Sequence, residues 1–102
     1  MAKDHLLVDK TELIATQLMG NQWRQVSARA DRIKTIRFDV VETRKLVFLK
    51  GKDERISIEV SGGMPITFLR SAEKTFFDEY KERIRTFAKD NKITFYDTTE
   101  EA

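Results

Sequence analysis

Asp78, Glu79 and Glu82, with Tyr80 among them, are the residues of this sequence most suggestive of acid–base or metal chemistry. Asp78 and Glu82 are four apart, which on a helix sets two carboxylates on one face. A helix-borne di-metal site, however, needs a Glu-x-x-His element and matching carboxylates on other helices. No histidine lies in this region, no second helix is as clearly marked, and Lys74 and Lys81 dilute the negative charge. These carboxylates therefore read as a solvated face. The one histidine, His5, falls in an N-terminal segment expected to be mobile. With no cysteine, a zinc site would need at least two acidic ligands beside it, an uncommon set. A Ser-His-Asp triad would have to recruit His5 from the terminus, and no GxSxG elbow is present. Carboxylates alone catalyse glycoside hydrolysis, but 102 residues with short connections leave little room for a cleft. The expectation is a protein that is not an enzyme and holds neither metal nor cofactor.

The glycine-rich "VSGGMP" at 60–65 resembles a phosphate loop only superficially. Such loops lead into a helix N-terminus and carry a Lys and a hydroxyl at fixed spacing. Here a strand follows, so a tight turn or bulge is expected. The basic stretch "RQVSARADRIKTIR", residues 24–37, is more suggestive, with five cations against one Asp. Trp23 beside Arg24, Arg29, Arg32, Lys34 and Arg37 is the candidate ligand-binding set. An aromatic flanked by cations can stack on a base or sit at an anionic lipid surface. The structural alternative buries Trp23 as the anchor of the first hairpin and leaves the cations solvated.

Several elements must position these residues. "IKTIRFDV" alternates Ile36, Phe38 and Val40 with polar neighbours, the period of a sheet with one wet face. "KLVFLKGKDERISIEV" predicts a hairpin: a strand over Lys45 to Leu49, a turn at Gly51-Lys52-Asp53, and a return through Ile56, Ile58 and Val60. The continuous apolar run from Leu46 to Leu49 suggests cover on both faces. "ITFL", 66–69, is a short strand after the Gly-Gly-Met-Pro break, and "KITFYD", 92–97, is another near the end.

Residues 9–28 admit two readings. As strands, Glu12 to Met19 and Gln22 to Ala28 form a hairpin around Gly20-Asn21. As a helix, Asp9 would cap, Glu12 would complete a capping box and Gly20 would stop it. The strand reading is preferred. "SAEKTFFDEYKERIRTFAKD", 71–90, predicts an amphipathic helix with Ser71 as N-cap and Glu73 in the first turn. Its apolar stripe is Phe76, Phe77, Tyr80, Ile84, Phe87 and Ala88, and Lys74–Asp78 and Glu79–Arg83 are spaced as surface ion pairs.

Composition bounds the rest. At 102 residues this is a single-domain length, sufficient to bury roughly two thirds of the unfolded surface without a disulfide or metal. Residues 1–5 and 98–102 are expected to be disordered. No apolar stretch approaches the length of a membrane span or a signal peptide. The cysteine-free composition suits a reducing interior, so a cytoplasmic location is expected. Net charge is only +2, weak for a dedicated nucleic-acid binder, though residues 1–51 hold ten basic against six acidic side chains.

Strands followed by one capped helix suggest a relative. "TELIATQLMGNQWRQVSARADRIKTIRF" resembles the opening of a bacterial pleckstrin-homology-like domain, with Ile33-Lys34-Thr35-Ile36 in place of that family's "I..I" element. "SAEKTFFDEYKERIRTF" looks like the family's closing helix; "KITFYD" is a strand beyond its usual end. The resemblance implies an α+β fold, a bent antiparallel sheet or partly open barrel capped by the C-terminal helix. It also implies a noncatalytic binding or assembly module for a protein, peptide or anionic headgroup, with Arg24 and Arg29 the nearest candidates by position. The alternative is a nucleic-acid-binding protein using the 24–37 face. Two copies could also pair through the 92–97 edge strand.

Overall fold

A computed structural model describes residues 3–46 and 49–99. Among them the fold is α+β, with seven strands in two sheets, one C-terminal helix and no closed barrel. The first sheet has the order β1-β2-β3, from β1 (Leu6–Val8), β2 (Glu12–Met19) and β3 (Gln22–Arg29), all antiparallel. The strand reading of residues 9–28 is the one adopted. A period of two puts Leu13 and Ala15 of β2 opposite Ala28 and Val26 of β3 on the core face. Gly20 takes φ +63° in the two-residue turn, a conformation that costs glycine little. β1, for which the sequence reading named no strand of its own, pairs Leu6 with Ala15 and Val8 with Leu13.

The second sheet has the order β6-β5-β4-β7, from β4 (Ile33–Leu46), β5 (Leu49–Val60), β6 (Ile66–Leu69) and β7 (Thr94–Asp97). The hairpin differs from expectation. Gly51, Lys52 and Asp53 are not its turn but lie inside β5, opposite Thr43, Glu42 and Val41. Register explains this: Ile36 opposite Ile58 and Phe38 opposite Ile56 set a ladder that runs on outward. Val40 and Val41 favour a strand, so β4 is continuous over 33–46 and the reversal comes earlier than expected, between Leu46 and Leu49, dividing the strand predicted over Lys45 to Leu49. The expected double cover of the 46–49 run concerns Val47 and Phe48, which lie outside the described residues. "SGGMP" is a turn, with Gly62 at φ +72° and β6 following.

β7 departs from an all-antiparallel sheet by pairing parallel to β4, Thr35 with Thr94 through Phe38 with Asp97. The helix α1 (Phe77–Asp90) makes the crossover that parallel strands require. β7 stands at the edge of its sheet, where the expected pairing with a second copy would take place.

The helix begins later than its sequence suggests. Ser71 is not the N-cap: its N–H and hydroxyl donate to the Asp53 carboxylate, and Phe76 occupies the cap position. Residues 71–76 form turns closed on the carbonyls of Leu69 and Glu73. Residue 74 is therefore outside the helix, and Asp78 pairs with Arg70 (2.7 Å) rather than with Lys74. The Glu79–Arg83 pair forms at 3.2 Å. Phe77, Tyr80, Ile84, Phe87 and Ala88 are buried as one stripe, within a core that also takes Leu6, Leu13, Ile36, Phe38, Ile56, Ile58 and Phe68. Arg70 and Lys81 both reach Glu54 of β5, at 3.1 Å each, and so lock the helix start to the second sheet. Burial pushes the Glu54 carboxyl up, but the hydrogen bonds from Arg70 and Lys81 outweigh it and hold it below the usual range.

Candidate ligand-binding surface

The basic stretch does not fold into one face. Arg24 and Arg29 are five residues apart on β3, roughly 17 Å of strand, and the odd spacing turns them to opposite faces. Arg24 donates to Gln22 (3.2 Å) and Arg29 stands 3.7 Å from Asp31. Arg32 ends the single-turn 3₁₀ element at Ala30–Arg32, and Lys34 sits where the β4–β5 register shifts. Arg37 belongs to the other sheet and lies over the Tyr96 ring, 5.3 Å from its centroid. Trp23 is neither in the core nor among these cations. It remains 55% exposed and stacks on His5, with ring centroids 4.5 Å apart.

That stack belongs to a cluster the sequence did not suggest. His5 is held rather than mobile: its N–H donates to the Tyr80 hydroxyl (2.6 Å), and its carbonyl accepts from Thr16 N–H (2.7 Å). Its Nδ1 lies 2.7 Å from Glu73 Oε1, and Glu73 is only 9% exposed. Asp4 is fixed as well, accepting from Leu6 N–H (3.1 Å) and from Arg83 Nη1 (3.0 Å). Burial pushes the Asp4 carboxyl up, but those hydrogen bonds outweigh it and leave it low. Burial also pushes the Tyr80 phenol up to about 12, against the favourable bond from His5 N–H. Arg83 Nη1 further donates to the Leu6 carbonyl (3.0 Å), so the helix holds the outer edge of β1 through a side chain.

Between β1 and α1 runs an open groove of about 890 Å³. Its apolar lining comes from Leu6, Leu7, Val8 and Ile14 of the first sheet and Phe87 of the helix. Four acids line it, Asp4, Asp9, Glu82 and Asp90, against two cations, Lys10 and Arg83. Arg83 pairs with Asp4 and Glu79, and Glu82 with Arg85, which leaves Asp9 and Asp90 against Lys10 and a weakly acidic rim. Register and alternation place Leu7, Ile14, Leu18 and Trp23 on the face opposite Leu13 and Ala15. Leu7 and Leu18 are 67% and 57% exposed on that face. Leu7 lines the groove beside Ile14, whereas Leu18 lies with Trp23 nearer the other end of β2.

The carboxylates singled out in the sequence are engaged elsewhere. Asp78 lies on Arg70, whose hydrogen bond holds its carboxyl low, and Glu82 lies on Arg85. Among the described residues no group of three or more His, Cys, Asp or Glu is placed to hold a metal ion, and no helix is long and apolar enough to cross a membrane. The groove brings together apolar side chains, a charged rim and an edge strand. The His5–Glu73 pair was missed because its members lie 68 positions apart, and Leu7 because no strand was read over 6–8. The usable signal was the "HLLV" run, whose apolar residues fit a short strand. No protein-family model, curated protein or solved structure matches this chain.

Proposed function

We propose that the protein is a noncatalytic binding module that seats an extended, basic and apolar segment of a partner polypeptide in the groove between β1 and α1. The observation that carries this reading is Leu7, 67% exposed on an edge strand and set in a groove with a weakly acidic rim. Grooves of this kind accept extended segments whose alternate side chains fill apolar sites while the charged ones meet the rim. Two sheets closed by a C-terminal helix are the arrangement expected of a pleckstrin-homology-like binding scaffold, which supports the reading. A cytoplasmic setting is part of the same proposal and rests on the cysteine-free composition. The nucleic-acid alternative loses support from the dispersal of residues 24–37 over two sheets.

The test is calorimetric titration with a short peptide of alternating lysine and valine, beside one of alternating glutamate and valine. The basic peptide should bind, the acidic one should not, and Leu7→Asp should weaken binding about tenfold, as loss of one buried leucine contact would. Equal binding of both peptides, or of neither, defeats the reading.

A further inference from the structure

A second, smaller pocket of about 300 Å³ opens between the first sheet and β6. Its walls include Leu18, Trp23, Phe68, Leu69, Ala72 and Glu73. Glu73 is a carboxylate nine-tenths buried, with Oε1 on His5 Nδ1 at 2.7 Å. No donor among the described residues reaches Oε2, yet none of their buried side-chain oxygens lacks a partner. Oε2 is therefore reached by solvent, and Glu73 is one of the residues that line the pocket. Trp23 lines the same pocket, with one ring face on His5 and more than half of the residue exposed.

These three parts select one chemistry. An electron-rich indole face attracts a cation, and a carboxylate oxygen in a half-dry site makes a strong hydrogen bond to a charged donor. Leu18, Phe68, Leu69 and Ala72 supply a sleeve for methylenes. We infer that the pocket binds an alkyl-linked cation, the ammonium or guanidinium head of a lysine or arginine side chain, with its stem along the apolar wall. The inference deepens the peptide-docking reading and rests on it for the source of that side chain. Thr16 lines both groove and pocket, and His5 joins them, so a segment lying in the groove can place one anchor here.

Small probes test the pocket without the peptide. N-acetyl-lysine methylamide, N-acetyl-arginine methylamide and the uncharged N-acetyl-norleucine methylamide are titrated into the full chain, and Trp23 fluorescence is followed. At least one cationic probe should change the emission saturably, and norleucine should not. Glu73→Gln should weaken that binding about tenfold, the worth of a charge-assisted hydrogen bond. Because Glu73→Gln also touches His5, Trp23→Leu at an exposed position is measured by calorimetry as a second variant and should likewise lose binding. Leu7→Asp should leave the small probes bound as before. Norleucine binding as well as the cations, saturation by none of the probes, or full binding by both pocket variants overturns the inference. Small cations that bind while the lysine–valine peptide does not would keep the pocket and remove the groove reading; the reverse would keep the groove and remove the pocket.

Discussion

The basic stretch 24–37 and the groove between β1 and α1 make an instructive pair. The first is concentrated in sequence and dispersed in space; the second is dispersed in sequence and concentrated in space. Five cations within fourteen residues suggest a patch, but a strand sends neighbours to opposite faces and carries them along its length. The groove gathers residues 4–16 and 82–90 from nearly opposite ends of the chain. Density along a sequence is thus a guide to a surface only when the element's period keeps those side chains together. In α1 it does, and in β3 it does not.

Breaking the groove side should cost far more than breaking the basic side. Tyr80→Ala removes a fully buried aromatic and the acceptor of His5 N–H, and should lower unfolding free energy by about 3–5 kcal/mol in urea denaturation. If it costs under about 1 kcal/mol, a scale on which surface changes fall, β1 does not depend on the helix in this way. A pH titration sharpens the same point. The Tyr80 phenol titrates near 12 in the fold against an ordinary 10. A raised folded value means that the stabilisation is whole below pH 10 and fades as pH rises toward 12. Phenolate absorbance in a Tyr96→Phe background should therefore rise late, and a midpoint near 10 contradicts the burial. Arg83→Ala, which frees the Leu6 carbonyl and Asp4, should cost about 1–2 kcal/mol. Arg32→Ala, for whose side chain no partner is found among the described residues, should stay within about 0.5 kcal/mol. A reversed order for these two arginines would break the contrast.

Much of the architecture was legible because its signals are local. Ile36, Phe38 and Val40 betray their strand through a period of two, and Phe77 to Ala88 betray their helix through one stripe. The Gly20 turn was readable for the same reason. Misreadings arose where a distant partner decided. Ser71 suits an N-cap by type, but Asp53 claims its hydroxyl and the helix starts at Phe77. The 51–53 segment has turn composition, yet the register set by Ile36 and Ile58 carries the strands past it. The parallel β7 depends on a crossover that no local pattern encodes. Of the candidate residues only Trp23 reaches the surface now proposed. His5 and Glu73, 68 positions apart, could not be linked by inspection of either neighbourhood.

The bond from His5 N–H to Tyr80 spans 75 residues, and the one from Arg83 to the Leu6 carbonyl spans 77. During synthesis the β1–β3 segment leaves the ribosome well before the side chains that close its outer edge. For that interval β1 has no helix beside it, and Leu7 faces water beside an uncovered strand. The groove thus comes into being only with the last quarter of the chain. Both of its walls stand together only once residues 77–90 have been made.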